Sequence, residues 1–304
     1  MKVLFMGTTD YAAVCLDAVI KAGHEVAAVC TRPDRPKNRG MKMAKSPVKE
    51  YAEAAGLRVM QPTALKTPRA ELEFRAVGAD LFAVVAYGRI LPRQLLDIPE
   101  KGCVNIHASL LPKYRGSAPI QRAVLDGERI TGVTAMYLDS EMDAGDIIDS
   151  VPITIGKYES FGSVYERMKQ PGAELLVKTL ADIENGRVKR IPQDPSAATF
   201  APPITKEICP VDWNDPAGRI VDKIRGLDPR PGATAVFGET TYKLFSPRLS
   251  GAASDAEPGS IVSLDRGGPE IACGDGRCVI VTELQTPGGR RMSAADFLRG
   301  HTLQ

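Results

Sequence analysis

The first stretch of the chain constrains its fold more than any other. Val3 to Met6 is a short apolar run that reads as a buried strand. Gly7-Thr8-Thr9-Asp10 is turn chemistry. From Tyr11 to Ala22 the apolar residues Val14, Leu16, Ala18 and Val19 recur at helical spacing, and Gly23 closes the helix. Val26 to Cys30 is a second strand. A strand, a helix and a strand joined by tight turns predict a parallel pair with a crossover helix, hence an α/β, doubly wound, mostly parallel sheet. The same opening argues against a dinucleotide site. Gly7 has no partner glycines, so the phosphate-cradling G-x-G-x-x-G is absent.

Further along, Pro47 opens a helix ending near Ala55, and Leu57 to Met60 is a strand. Thr67 to Val77 reads as a helix, and Ala79 to Ala86 is the most apolar strand. Tyr87 to Pro92 follows at its carboxyl end, where open parallel sheets bind their ligands. Ser163 to Glu184 has a long helical pattern, which Pro171-Gly172 is expected to interrupt. The prolines at 192, 195, 202 and 203 suggest a linker over 191–204. This divides the chain into a first domain, 1–190, and a second, 205–304. The second holds a helix over Asp215 to Ile224, with Asp215 as its N-cap and Pro216 at its first position, and then short β-like runs between glycine turns, the texture of a small barrel. Its charge is close to neutral, so a stabilising accessory domain is as compatible with it as a binding one.

Thr31 to Lys49 stands apart. It is rich in Pro and Gly and carries Arg32, Arg35, Lys37, Arg39, Lys42, Lys45 and Lys49 against Asp34 alone. No helix or strand pattern claims it, and its cations exceed what local pairing could neutralise. A solvated surface loop is the plain reading. Its length favours a functional one, suited to a polyanionic substrate.

Composition narrows the classes. With 304 residues and a net charge of +2, the chain can bury a large core and has no global basic field. Its six cysteines form no Cys-x-x-Cys and read as reduced structural thiols of a cytoplasmic protein. Three histidines make a histidine-based metal site improbable, and no metal is expected. No apolar run reaches membrane-spanning length. There is no Gly-x-Ser-x-Gly elbow, and no cysteine has an electropositive setting.

Chemistry concentrates in Gly102 to Gly116. The stretch begins as a strand, Cys103 to His107, and ends as a loop broken by Pro112 and Gly116. Asn105 and His107 lie two apart, so both project from one face of the strand. His107 by itself would read as a satisfied core histidine. Asn105 beside it, and the acidic stretch Asp139, Glu141, Asp143 and Asp146 downstream, turn the reading towards a site. An amide, an imidazole and a carboxylate without a covalent nucleophile suit direct acyl transfer between two bound substrates, with donors facing a developing oxyanion.

Asn105-x-His107-x-Ser109-Leu110-Leu111-Pro112-x-x-x-Gly116, followed by Met142-Asp143-x-Gly145-Asp146, resembles the folate-dependent formyltransferases. Arg115 to Ala123, Asp34-Arg35-Pro36-x-x-Arg39-Gly40-x-Lys42 and Ser46 to Lys49 resemble the branch that acts on a charged tRNA. Thr9 and Val14 stand where that branch commonly has proline, which affects only local turn geometry. The resemblance covers essentially the whole chain and implies a Rossmann-like catalytic domain followed by an OB-fold-like one. It implies 10-formyltetrahydrofolate as formyl donor, giving tetrahydrofolate, and the α-amino group of methionyl initiator tRNA as acceptor, in translation initiation. It implies Asn105, His107 and Asp143 as catalytic residues. Ser109, Leu110, Leu111 and Pro112 would line the folate site, with backbone help near Leu91 and Asp139. Arg39 and Lys42 would meet the tRNA acceptor stem. A monomer is expected. The nearest alternative is a formyltransferase acting on an amino-sugar nucleotide, against which the basic segment weighs. A hydrolytic or non-catalytic folate binder and a dinucleotide oxidoreductase are the others.

Overall fold

A computed structural model of the chain describes residues 1–37, 42–265 and 267–303. In chain order its elements begin with β1 (Lys2–Gly7), α1 (Asp10–Lys21), β2 (Glu25–Cys30), β3 (Arg35–Lys37), β4 (Lys42–Ala44), α2 (Pro47–Ala54) and β5 (Val59–Met60). There follow α3 (Pro68–Arg75), β6 (Leu81–Val85), α4 (Arg93–Leu96), β7 (Cys103–His107), β8 (Arg115–Gly116), α5 (Pro119–Leu125), β9 (Ile130–Tyr137) and β10 (Ile147–Thr154). Then come α6 (Phe161–Glu184), β11 (Phe200–Ala201), α7 (Ala217–Leu227), β12 (Ala233–Phe237), β13 (Thr240–Ala253), β14 (Ile261–Asp265), β15 (Gly268–Ala272), β16 (Arg277–Gln285), β17 (Met292–Ser293) and α8 (Ala294–Leu298).

The chain forms two compact units. One holds residues 1–117, 132–153 and 166–201, and the other holds 118–131, 154–165 and 202–304. The first is built on a seven-stranded sheet of order β10-β9-β7-β6-β1-β2-β5. The pairs β1–β2, β1–β6, β2–β5 and β6–β7 are parallel, and β7–β9 is antiparallel. This is the α/β, doubly wound sheet expected. Its central strands, Val3 to Met6 and Leu81 to Val85, are almost wholly shielded from water, as parallel strands covered on both faces must be. The helix starts follow local rules. Thr9, Ser46 and Thr67 accept hydrogen bonds from the backbone N–H groups of Ala12, Lys49 and Ala70, capping α1, α2 and α3.

Two expectations are corrected. Pro171-Gly172 does not interrupt α6, which runs unbroken from Phe161 to Glu184. Tyr11 lies so close to Gly172 that no Cβ would fit there, and this packing outweighs the hydrogen bond lost at Pro171. The basic segment is not an irregular loop. Strands β3 and β4 pair antiparallel, Arg35 opposite Ala44 and Lys37 opposite Lys42. Two short strands with a proline and no apolar alternation leave no period to read. Two of its cations are neutralised locally: Lys49 meets Asp34 at 2.6 Å and Lys45 meets Glu53 at 2.6 Å. Arg39 lies outside the described residues, as does the side chain of Lys42.

The second unit contains an antiparallel sheet of order β12-β13-β16-β15-β14, with β17 against β16. Helix α7 covers it, burying Ile220, Val221, Ile224 and Leu227 with Leu244, Val279, Val281 and Phe297. The small antiparallel β domain expected is present. Its helix runs from Ala217 to Leu227, with Pro216, not Asp215, at the cap position and without a side-chain cap. Among the described residues no helix is long and apolar enough to cross a membrane.

Candidate active site

Strand β7 delivers Asn105 and His107 to the carboxyl edge of the first sheet. Parallel pairing with β6 and antiparallel pairing with β9 hold it from both sides, with Asn105 opposite Val84 and Met136, and His107 opposite Thr134. The alternation of the strand places both side chains on one face. His107 is buried, and Asn105 is partly exposed. Among the described residues the Asn105 amide has no hydrogen-bond partner, which leaves its donors available.

His107 Nε2 lies 2.9 Å from the Tyr114 carbonyl oxygen, an acceptor, so this nitrogen carries the hydrogen and donates. On the other side Nδ1 stands 3.6 Å from Asp143 Oδ2. An imidazolium formed here therefore has an acceptor at each nitrogen. Both flanking residues have left-handed backbones, Tyr114 at φ 62° and Asp143 at φ 52°. Non-glycine residues in this region cluster at functional sites, because the surroundings must hold them there.

Groups from β8, β11 and the segment before it hold them. Gly116 N–H donates to Asp143 Oδ2 at 2.8 Å. Gly116 has φ 125°, and a Cβ on it would lie 2.7 Å from the Ala201 carbonyl oxygen, so only glycine fits. Gln193 Nε2 donates to the Asp143 and Gly145 carbonyls, each at 2.8 Å, and its Oε1 accepts from the buried Arg115 through Nε at 3.1 Å and Nη2 at 2.9 Å. Strand β11 pairs with β8, and Thr199 accepts from Tyr114 N–H at its hydroxyl and from Arg115 N–H at its carbonyl. Residues 191–201, read as linker, thus include groups that build the His107 surroundings. Gln193, Thr199 and Tyr114 carry no motif of their own, and sequence reasoning passed over them.

The loop after β7 is pinned by another residue that was missed. Thr134 donates to the Ser109 carbonyl at 2.7 Å and accepts from Leu111 N–H at 3.2 Å. Ser109 is fully buried, and its hydroxyl donates to the Lys113 carbonyl at 2.7 Å, so its side chain closes the loop. Leu110 lies on Gly132, where a Cβ has no room. Leu111 is largely buried and Pro112 partly so. The Leu91 side chain belongs to the core with Tyr87, Leu95 and Cys103. Asp139 is exposed; hydrogen bonds from Ser140 first, then the positive charges of Arg93 and Arg190, hold its carboxyl below the usual range. Burial pushes the neighbouring Cys103 thiol up to about 12, which removes it as a nucleophile. No group of residues able to hold a metal ion occurs among the described residues.

A parallel α/β sheet presenting an amide, an imidazole and a carboxylate at its carboxyl edge is arranged for group transfer. The formyl transferase family pattern matches residues 1–180, and the pattern of the formyl transferase C-terminal domain matches residues 203–302. The chain is 44% identical over 303 residues to a methionyl-tRNA formyltransferase of Moorella thermoacetica, covering 100% of this chain and 97% of that protein. It is 43% identical to the methionyl-tRNA formyltransferase of Citrifermentans bemidjiense, covering 100% of this chain and 95% of that one. The chain belongs to the formyl transferase family, in its methionyl-tRNA formyltransferase branch. Two solved structures share the fold. An N-formyltransferase from Helicobacter canadensis, in complex with folinic acid and dTDP-3-aminofucose, has a TM-score of 0.67 at 18% identity, covering 94% of this chain and 100% of that one. HypX from Aquifex aeolicus, in complex with tetrahydrofolic acid, has a TM-score of 0.65 at 20% identity, covering 98% of this chain and 47% of that one.

Proposed function

We infer that this chain is a methionyl-tRNA formyltransferase. It transfers the formyl group of 10-formyltetrahydrofolate to the α-amino group of methionyl initiator tRNA, for translation initiation. The observation that carries the mechanism is an Asn105 amide without a hydrogen-bond partner among the described residues, beside a His107 flanked by two acceptors.

The neutral methionyl amine attacks the formyl carbon directly. A C–N bond forms, and the carbonyl electrons move onto oxygen. The Asn105 amide donates to that oxyanion, and its N–H is not committed elsewhere, so little reorganisation is needed. The adduct nitrogen then carries a surplus proton. With Nε2–H fixed on Tyr114, the free lone pair of His107 is on Nδ1, beside Asp143, and the His107–Asp143 pair takes the proton. Asp143 stabilises the imidazolium that results. When the C–N10 bond breaks, the same proton goes to N10 and tetrahydrofolate leaves. His107 was expected as a second oxyanion donor. Its two nitrogens face protein acceptors, so the proton-carrying role is the better supported one.

Leu110, Leu111 and Pro112, held by Ser109 and Thr134, form one wall for the folate, with the backbone at Leu91 and Asp139 opposite. Arg39 and Lys42, in the basic segment, meet the acceptor stem. We propose a monomer acting in the cytoplasm, where six unpaired buried cysteines remain reduced. The test is formyl transfer from 10-formyltetrahydrofolate to charged initiator tRNA, beside an amino-sugar nucleotide. Turnover of the tRNA alone supports this reading; turnover of the sugar alone overturns it.

A further inference from the structure

Arg32 follows β2 at the carboxyl edge of the first sheet. Its guanidinium lies against Gly88, where a Cβ would come within 3.2 Å of Nη1, and Gly88 has φ 76°. Among the described residues its side chain forms no hydrogen bond or ion pair, and its Nε is shielded from water without a partner. Such a group is costly to leave unmet. Arg35 and Arg89 are both near enough to act on it: burial first, then these two cations, pull the Arg32 guanidinium below its ordinary value.

Among the described residues no carboxylate pairs with these three arginines. Asp34, the one acid of the segment, is turned to Lys49 at 2.6 Å and Gln61 at 2.8 Å. Gln61 also donates to the Arg32 carbonyl at 2.9 Å, which fixes the backbone that carries the guanidinium. Arg89 donates to the carbonyls of Pro62 and Thr63 at 2.6 and 3.0 Å, which position its charge without neutralising it. Three arginines, one of them unpartnered and partly dehydrated, therefore converge where parallel sheets bind ligands.

We infer that Arg32, with Arg35 and Arg89, binds a phosphodiester oxygen near the 3′ end of the acceptor tRNA. This rests on the acceptor being a tRNA. Position favours phosphate on that substrate. Neighbouring strands lie about 4.8 Å apart, so β6 and β2 stand roughly 5 and 14 Å along the edge from the strand bearing His107. A stacked strand carries a phosphate about every 3.4 Å, so an aminoacyl end at His107 places its last few phosphates along this edge. Arginine is suited to the task because its planar fork meets two phosphate oxygens at once.

The experiment is steady-state formylation by Arg32→Gln and Arg32→Lys at several salt concentrations, with folate KM measured in parallel. Arg32 has no side-chain hydrogen-bond partner to lose among the described residues, and an unchanged unfolding midpoint checks that both variants fold. Arg32→Gln should lower kcat/KM for methionyl-tRNA about 10-fold near 0.15 M salt and flatten the log–log salt slope by about 0.7, the loss of one single-strand phosphate contact. Arg32→Lys should keep the slope. Uncharged tRNA trimmed of its 3′-terminal nucleotides should bind the wild-type chain and Arg32→Gln equally. An unchanged slope overturns the proposal. So does a rise in folate KM with tRNA kinetics unaltered, which would give the cluster to the carboxylates of the folate tail. Failure of the functional reading itself shows separately, as a wild-type chain that does not formylate methionyl-tRNA, and removes the proposal with it.

Discussion

Gln193 Nε2 donates to the Asp143 carbonyl oxygen at 2.8 Å, joining residues 50 positions apart. The same side chain accepts from Arg115 on its other end, so one amide sets the backbone of the carboxylate that faces His107. Gln193→Ala should lower kcat about 10-fold and leave folate KM within about two-fold, because a displaced Asp143 weakens the proton-carrying pair without touching the folate wall. It should also cost about 1–3 kcal/mol of stability, since the buried Arg115 loses an acceptor. Kinetics and denaturant unfolding of the same variant check both. A fall in stability with normal kcat would make Gln193 a structural residue only.

The three proposed catalytic residues should separate turnover from binding. Asn105→Ala and His107→Ala are each expected to lose about 100-fold or more in turnover, the scale of a lost oxyanion donor or proton carrier. Asp143→Asn keeps the shape and removes the charge, so most turnover should go while folate binding persists. Single-turnover rates beside equilibrium folate binding decide this. Near-normal rates with lost folate affinity in all three would make them binding groups.

For the basic segment, the double variant Arg39→Ala with Lys42→Ala should reduce kcat/KM for methionyl-tRNA about 10-fold, most strongly at moderate ionic strength. Folate affinity should hardly change. Kinetics at two salt concentrations test this. Unchanged values at both would leave the segment as solvated surface and reopen the small-acceptor alternative.

Buried thiols set an alkaline limit. Burial pushes Cys15, Cys30, Cys103 and Cys273 up to about 12 from an ordinary 9.0. A raised folded value means stability that is fully present below about pH 9 and is lost as pH climbs from there towards 12. Unfolding free energy should therefore fall as pH rises from about 9 towards 12, and substitution of Cys15 and Cys103 by alanine should lessen the fall. Activity should survive reductant and chelator. Loss on chelation, restored by one metal, would contradict this.

Much of the fold was legible because its signals are local. The apolar runs at Val3 and Leu81, the turn at Gly7 and the caps at Ser46 and Thr67 follow rules that act within a few residues. The pairing of Asn105 with His107 was legible from the period of a strand. Gln193, Thr199 and Thr134 were not, because each acts through a backbone group far away in sequence and belongs to no pattern. The α6 proline was misread because propensity cannot see Tyr11 packed against Gly172. The ribbon at Arg35 was misread because pairing, not alternation, makes its two strands.

The chain passes between its compact units at residues 117/118, 131/132, 153/154, 165/166 and 201/202. Helix α5, early in sequence, buries Ile120, Ala123 and Val124, and Leu125 packs on Gly226 of α7. A ribosome therefore releases α5 before its partner helix exists, and those apolar residues wait in water until about the last third of the chain has emerged. Neither unit can be inherited, swapped or truncated as a single continuous cassette, and a stop codon between α5 and α7 leaves α5 without the helix on which it packs.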